Sequence, residues 1–268
     1  MPVYAIPDIR QRLLSNKAGV GIAMALGMAA LLIFALGRHT DIDLLLADTM
    51  YDRAAGVFPW REAWLAATFN HRILKLALTV LAGCIIAAAI VDGFWPQAPF
   101  ERPLARLRLR IVAWSAVLVP LATSLLKQSS DAHCPWDLAR YGGVQPYTRL
   151  FEALPAGALP GHCLPAGHAS SALWLVSLVV LWLPGQPGKA WRGAGAALAV
   201  GCAVGWMQQL RGAHFLTHTL WSAWIACAIV AALVLLLQPS GGTRLRVPAG
   251  TRRRAPAPRT GRHPAAPS

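Results

Sequence analysis

Six apolar stretches, separated by clusters of charged residues, are the feature that most limits how this chain can fold. They cover roughly Ala18–Gly37, Ile73–Trp95, Ile111–Leu126, Ala169–Leu183, Gly193–Leu210 and Phe215–Leu237. A helix needs about 20 apolar residues to cross a bilayer, and only 13 % of the 268 residues are charged. The sequence therefore predicts an all-α polytopic membrane protein with six transmembrane helices in a bundle. The third and fourth stretches are short, so we expect them to extend into flanking residues or to tilt.

The distribution of basic residues predicts the orientation of the chain. Most of the 25 lysines and arginines lie on one side of the six stretches, and lysine and arginine favour cytoplasmic loops. Both termini are therefore expected in the cytoplasm, with a multi-pass domain over residues 1–241 in a bacterial-type inner (plasma) membrane. Residues 242–268 are rich in Pro, Ala and Arg and predict a disordered basic cytoplasmic tail.

Most of the net charge of +14 comes from the lysines and arginines that predict the orientation and from those of this tail. No folded basic domain accompanies the tail, so nucleic-acid binding is disfavoured, whereas contact with anionic lipid headgroups is compatible with it. The expected partners are the lipid bilayer and a membrane lipid. Nothing in the sequence specifies an oligomeric state.

Two features inside the apolar stretches predict packing and no chemistry. Ala197, Gly201 and Gly205 recur at i, i+4 spacing in the fifth stretch, which lets helices approach closely. Three cysteines within the stretches are expected to be buried packing residues. They are Cys84, Cys202 and Cys227.

The first loop expected on the outer side, Arg38–Arg72, mixes apolar and polar residues at near-helical spacing. Trp60 and Trp64 suit a membrane interface. The pattern predicts amphipathic helices on the membrane surface, and a packed connector is equally compatible with it.

Several ionisable residues are expected at the same outer depth. Lys127 ends the third stretch and His168 opens the fourth, while Arg211, His214 and His218 fall within about 60° of one another at the start of the sixth helix. Each alone has an ordinary explanation, such as a lysine snorkelling to the interface. Ionisable residues at membrane depth are usually functional, so together they predict an anion-binding site facing the periplasm or cell exterior.

Three short signatures in this region resemble those of the type-2 phosphatidic acid phosphatase superfamily of lipid phosphate phosphatases, in a divergent membrane branch. The matching residues are Lys127 and Pro135 in the first signature, Pro165, Gly167 and His168 in the second, and His214 in the third. Four positions depart from the family pattern. They are Cys134 in place of arginine, Ala166 in place of serine, Gln208 in place of arginine and His218 in place of aspartate.

The resemblance implies the catalytic roles. It assigns His214 as the nucleophile that forms a phosphohistidine and His168 as the general acid, with no metal or other cofactor. His218 would accept a hydrogen bond from His214 where the family has a carboxylate. Asp131 or Asp137, from the second loop expected on the outer side (Lys127–Gly167), is the alternative that would supply a carboxylate instead.

The phosphate is expected to bind Lys127, Arg140, Arg211 and the backbone of Gly167. Arginine offers a planar fork that suits phosphate, so Arg140 and Arg211 are interpreted as relocated replacements for the two missing family arginines. Gly167 precedes a helix, and backbone N–H groups at a helix start bind anions.

Histidines and cysteines of the outward region also admit a metal site or a disulfide. The candidates are His133, Cys134, His162, Cys163, His168, His214 and His218. Their spacing is unlike that of zinc motifs, and we expect no metal. Cys134 and Cys163 face the oxidising side, where a disulfide would close a loop of about 30 residues worth roughly 3–4 kcal/mol. Free thiols are the alternative.

The expected enzyme is a phosphoric monoester or diphosphate hydrolase that acts on lipid phosphates. Phosphatidic acid, phosphatidylglycerol phosphate, polyprenyl diphosphate and lipid A are all compatible substrates. A lipid phosphotransferase would use the same pocket, and loss of family Arg, Ser and Asp leaves a non-catalytic lipid-phosphate binder or transporter as a further alternative. A soluble haloperoxidase is disfavoured by the six apolar stretches.

Overall fold

The computed structural model describes residues 12–96, 100 and 102–239, and these residues form helices without any β-strand. The helices are α1 (Asn16–His39), α2 (Ile42–Met50), a π-helical segment (Trp64–Leu74) that continues into α3 (Lys75–Phe94), α4 (Pro103–Gln128), α5 (Gly167–Leu173) that continues as a 3₁₀ segment (Trp174–Leu181), α6 (Pro187–Leu210) and α7 (Leu216–Leu237). The predicted tail, residues 242–268, lies outside the described residues.

Each of the six apolar stretches is helical, and four helices of the described chain are long and apolar enough to cross a membrane. They are α1, the continuous helix Trp64–Phe94, α4 and α7. The helix over Gly167–Leu181 is apolar but shorter, and α6 is less apolar. This is the composition of a membrane-embedded, all-helical protein, and the six-span topology stays a prediction.

The second long helix begins at Trp64 and not near Ile73, where its apolar stretch begins. Among the polar residues between them, Asn70 faces protein. Asn70 is buried and its side-chain Nδ2 donates to the carbonyl of Val204 on α6 at 3.3 Å. A satisfied polar side chain can therefore extend a membrane helix beyond its apolar part.

The main core lies between α4, α5 with its 3₁₀ continuation, α6 and α7, which pack against one another. Small residues of α6 make this packing close, as their spacing predicts. A Cβ on Gly201 would lie 2.3 Å from the Leu173 side chain, and one on Gly205 would lie 2.3 Å from Thr219. These two glycines therefore let α5 and α7 approach the backbone of α6.

Helices α1 and α3 lie at the periphery of the bundle. Only 11 % of the apolar window of α1 and 6 % of that of the helix containing α3 is buried, so most of their apolar side chains are left for lipid. Cys84, on α3, is exposed. The prediction that it is a buried packing residue is therefore wrong, and Cys202 and Cys227 are only partly buried.

A second, smaller core covers one end of the bundle. Its buried members are Ala47, Met50, Phe58, Leu138, Tyr141 and Phe215. Helix α2 contributes an apolar face to this core and contacts both α6 and α7. The loop Arg38–Arg72 thus contains an amphipathic helix, and that helix is also a packed connector. This small core holds the two loops over the ends of α4 to α7.

Candidate active site

The base of the loop Lys127–Gly167 is closed by hydrogen bonds and a disulfide. Backbone N–H groups of residues 161–163 donate to the carbonyls of residues 130–132 at 2.9 to 3.1 Å. Cys134 and Cys163 form a disulfide, with their Cα atoms 5.4 Å apart. The loop therefore returns to its starting point, which brings the end of α4, with Lys127, towards the start of α5, with His168.

Four histidines, called here the histidine cluster, meet at this end of the bundle. They are His71 on the π-helical segment, His168 on α5, His214 in the turn after α6 and His218 on α7. The ring centroids of His71 and His168 are 4.1 Å apart, and those of His214 and His218 are 5.8 Å apart. His168 also lies near enough to His214 for its charge to act on that imidazole. The structure therefore brings the three predicted histidines together and adds a fourth.

The disulfide is part of the surroundings of His214. Cys163 Sγ lies 3.4 Å from Nδ1 of His214, and sulfur is a weak acceptor. Nδ1 can therefore carry the proton, which leaves Nε2 as the nitrogen with a free lone pair. Burial lowers the pKa of His214 well below the ordinary histidine value, helped by His218 and Lys127, so this imidazole is neutral near pH 7.

The structure does not place His218 in the role expected of it. Nδ1 of His214 faces the Cys163 sulfur and makes no hydrogen bond to His218, whose ring stands edge-on at 5.8 Å. The physical reason is that His214 precedes α7, while His218 already belongs to its first turn. Its backbone carbonyl accepts from the N–H of Ala166 at 3.1 Å, which ties α7 to the start of α5.

Two cationic side chains predicted to bind phosphate lie beside the cluster. The charge of Lys127 acts on His168, His214 and His218. Arg211 donates to Gln208 Oε1 at 3.1 Å and to the carbonyl of Arg61 at 3.0 Å. Arg211 therefore contacts Gln208, the residue at the position where the family pattern has an arginine.

Arg140 is not brought to the cluster. Its Nε donates to Asp48 Oδ1 at 2.9 Å and a terminal nitrogen to Oδ2, while the hydroxyl of Tyr141 also donates to Asp48 at 2.9 Å. The Arg140 guanidinium lowers the pKa of Asp48. Arg140 would have to leave this pairing to bind a phosphate. Asp48 on α2 is a partner that the sequence did not predict.

Gly167 is the first residue of α5, and a Cβ on it would have no heavy atom within 4 Å. The backbone therefore borders open space here. Pro165 and Ala166 just before it are buried. An anion could approach the N–H groups at the start of α5 without steric hindrance.

Neither loop aspartate acts as a substitute for the family carboxylate in the structure. Asp137 accepts a hydrogen bond from the backbone N–H of Cys134 at 3.3 Å and so closes a 3₁₀ turn (Pro135–Asp137). Asp131 is exposed. The buried carboxylate near the cluster is instead that of Asp43 on α2, whose side chain is 5 % exposed.

Asp43 accepts from both the backbone N–H (3.0 Å) and the hydroxyl of Thr217 at the start of α7. Together with His133 and His218, it lines a cavity of about 20 Å³, which is room for one water molecule. Burial raises the pKa of Asp43. Asp43 was missed because it lies in an unremarkable amphipathic segment; the one signal was an acidic residue on the otherwise apolar face of α2.

The sulfur and nitrogen atoms of Cys134, Cys163 and His214 lie within 4.8 Å of one another, the spacing of a possible metal site among the described residues. Both sulfurs belong to the disulfide, however, and only a thiolate binds zinc well. The donor set does not fit a metal while the disulfide is intact.

The chain matches the family model described as PAP2 superfamily over residues 108–241. The match spans α4 to α7 and includes Lys127, His168 and His214, but not α1, α2 or α3. No curated protein and no solved structure matches the chain.

Proposed function

Because the chain belongs to the PAP2 superfamily, we propose that it is a membrane phosphatase that removes phosphate from a lipid phosphate or diphosphate through a phosphohistidine intermediate. The superfamily covers phosphatase activity on lipid phosphates. The observation that carries the proposal is the convergence of His168, His214, Lys127 and Arg211 at one end of an apolar helix bundle.

In the first half-reaction, Nε2 of His214 attacks phosphorus, so a P–N bond forms as the P–O bond to the lipid breaks. His168 donates a proton to the departing oxygen. Lys127, Arg211 and the N–H groups at the start of α5 stabilise negative charge on the equatorial phosphate oxygens. In this scheme the Cys163 sulfur holds Nδ1 and thereby orients His214.

In the second half-reaction, water attacks the phosphohistidine, and His168 takes up the proton that the water loses. The P–N bond breaks, inorganic phosphate leaves and His214 is again neutral. His218 acts through the backbone in this proposal, because its carbonyl fixes the start of α5. Arg140 would join the phosphate ligands only after releasing Asp48.

We further propose that six helices cross the membrane, with both termini in the cytoplasm and the histidine cluster on the periplasmic or outer side. The fourth span is supported by its geometry. Seven α-helical residues followed by eight 3₁₀ residues extend about 26 Å, since a 3₁₀ helix rises about 2.0 Å per residue. This approaches the roughly 30 Å of the hydrocarbon layer.

The test is release of inorganic phosphate by detergent-purified protein from phosphatidic acid, phosphatidylglycerol phosphate, polyprenyl diphosphate and lipid A. We expect one or more substrates to be hydrolysed, His214→Ala to abolish release, and EDTA to have no effect. His39→Gln, an exposed histidine at the end of α1, is the matched control and should retain activity.

Labelling with a lipid carrying radioactive phosphate distinguishes the alternatives. A phosphoenzyme that is labile in acid, stable in base and absent from His214→Ala supports the phosphohistidine. Labelled protein that passes phosphate to a second lipid and not to water would identify a phosphotransferase. Binding without turnover or labelling would identify a non-catalytic lipid-phosphate binder and overturn the proposal.

A further inference from the structure

His71 lies against the proposed general acid, although it is outside the residues that match the family. Its ring centroid is 4.1 Å from that of His168, with the two ring planes inclined by 52°. The two histidines come from separate elements, the π-helical segment and α5. The two rings are therefore in contact, and a rotation of either imidazole would bring a nitrogen of one towards a nitrogen of the other.

The position of His71 is fixed by its neighbours in the π-helical segment. Asn70 is buried and bonded to the carbonyl of Val204, and Ala66 is fully buried one turn earlier. This anchors the segment on α6 while the next residue, His71, points to α5. A π-helical turn widens the helix locally and occurs often at functional sites.

His168 needs a route for protons. Its Nε2 is buried and has no hydrogen-bond partner, and the ring as a whole is more enclosed than that of His71. In both half-reactions a proton must pass between this enclosed ring and solvent if the ring is to stay neutral. His71 lies in contact with it on the less enclosed side.

The charges around His71 suit a relay. Three cationic side chains lie around its imidazole, those of Lys75, Arg72 and Arg211. A neutral imidazole carries one N–H and one free lone pair. It can therefore accept a proton on one nitrogen and release one from the other without storing charge.

We propose that His71 relays protons between solvent and His168, a proposal that rests on the phosphatase function above. When the P–O bond to the lipid breaks, the lipid oxygen takes the proton of His168. At the same time His71 passes its N–H proton to the other nitrogen of His168 and takes one proton from solvent, so both imidazoles stay neutral. In the hydrolytic half-reaction the proton that water loses to His168 leaves through His71 by the reverse route, and solvent regains the proton that it supplied. His71 is a positioning and relay residue and does not touch phosphorus.

The test compares His71→Gln with His39→Gln on two phosphate esters of equal chain length in the same micelle, an alkyl phosphate and a 4-alkylphenyl phosphate. The phenolate leaves with little need for a proton, whereas the alkoxide needs one. We expect His71→Gln to lower kcat about 10- to 100-fold for the alkyl ester and no more than about threefold for the aryl ester. His39→Gln should leave both rates unchanged.

A second variant separates a relay from a packing role. His71→Ala should behave as His71→Gln does, and free imidazole added to the assay should restore part of its alkyl-ester activity. Melting temperatures within about 2 °C of the parent show that the variants are folded. Equal losses on both esters, or no loss on either, would overturn the relay while leaving the phosphatase standing. Failure of the unmodified protein on both esters, or equal rates for His214→Ala, would overturn the phosphatase first.

Discussion

Removal of the Cys134–Cys163 disulfide should reduce both stability and turnover. The two cysteines are 29 residues apart, and the chain-entropy model gives about 3.6 kcal/mol for a closed loop of this length at 25 °C. For a protein of this size, about 2–4 °C of melting temperature corresponds to each kcal/mol. A double alanine variant should therefore melt ~7–15 °C below its parent.

The turnover rate of this double variant should fall by more than its loss of stability explains, because the Cys163 sulfur is the atom that faces Nδ1 of His214. A nucleophile that loses its orienting partner loses about 10- to 100-fold in rate. This loss should be visible well below the melting temperature, in the same phosphate-release assay.

The assay uses a background in which the three remaining cysteines are alanine, so that no other pairing is possible. These are Cys84, Cys202 and Cys227. Intact mass before and after alkylation under non-reducing conditions reports whether the bond is present. A parent with two free thiols, or a double variant that melts within about 2 °C of the parent and turns over at the parental rate, would show that the reasoning is wrong.

Three further outcomes are expected. Asp43→Ala should lower the free energy of unfolding by about 1–3 kcal/mol, seen as a lower melting temperature, because the buried N–H of Thr217 loses its acceptor. Asp43→Asn keeps an oxygen at this position and should lower it less. Equal losses for the two variants would contradict this. Gly212→Ala should destabilise the fold in thermal melts, since the residue has a φ of +72° and a Cβ would lie 2.4 Å from the Phe58 ring, whereas Gly83→Ala, with open space, should not. Because burial lowers the pKa of His214, kcat/KM should stay level from pH 7 to below about 6.5. Stability should fall over the same acid range, where only the unfolded chain takes up the proton. An acid limb centred above pH 6.5 would refute the neutral nucleophile.

The apolar stretches predicted the helices well because a membrane helix is recognisable in a sequence by its length and apolar composition. The boundaries were harder to predict. The helix that begins at Trp64 contains Asn70 and His71, and nothing local shows that their polar groups face other helices and not lipid. The long 3₁₀ segment after Leu173 likewise depends on packing, since its sequence is simply apolar.

The chemistry of the site was predictable only where a short pattern carried it. Lys127, His168 and His214 belong to signatures with fixed spacing, and the structure brings them together. Arg140 was expected at the phosphate from proximity in sequence, but its charge is neutralised by Asp48, which lies 92 positions earlier. Long-range partners of this kind have no signal in a single sequence.

Asp43 links the half of the chain that does not match the family model to the half that does. Helix α7 lies within residues 108–241, yet its first residues are capped by a carboxylate from α2, and the residue before the helix, Phe215, has no side chain that could do so. A fragment limited to 108–241 would begin α7 with unpaired N–H groups and would also lack His71. The family-like half is therefore not a self-sufficient module, and transplanting it onto another membrane anchor would require α2 and the π-helical segment to accompany it.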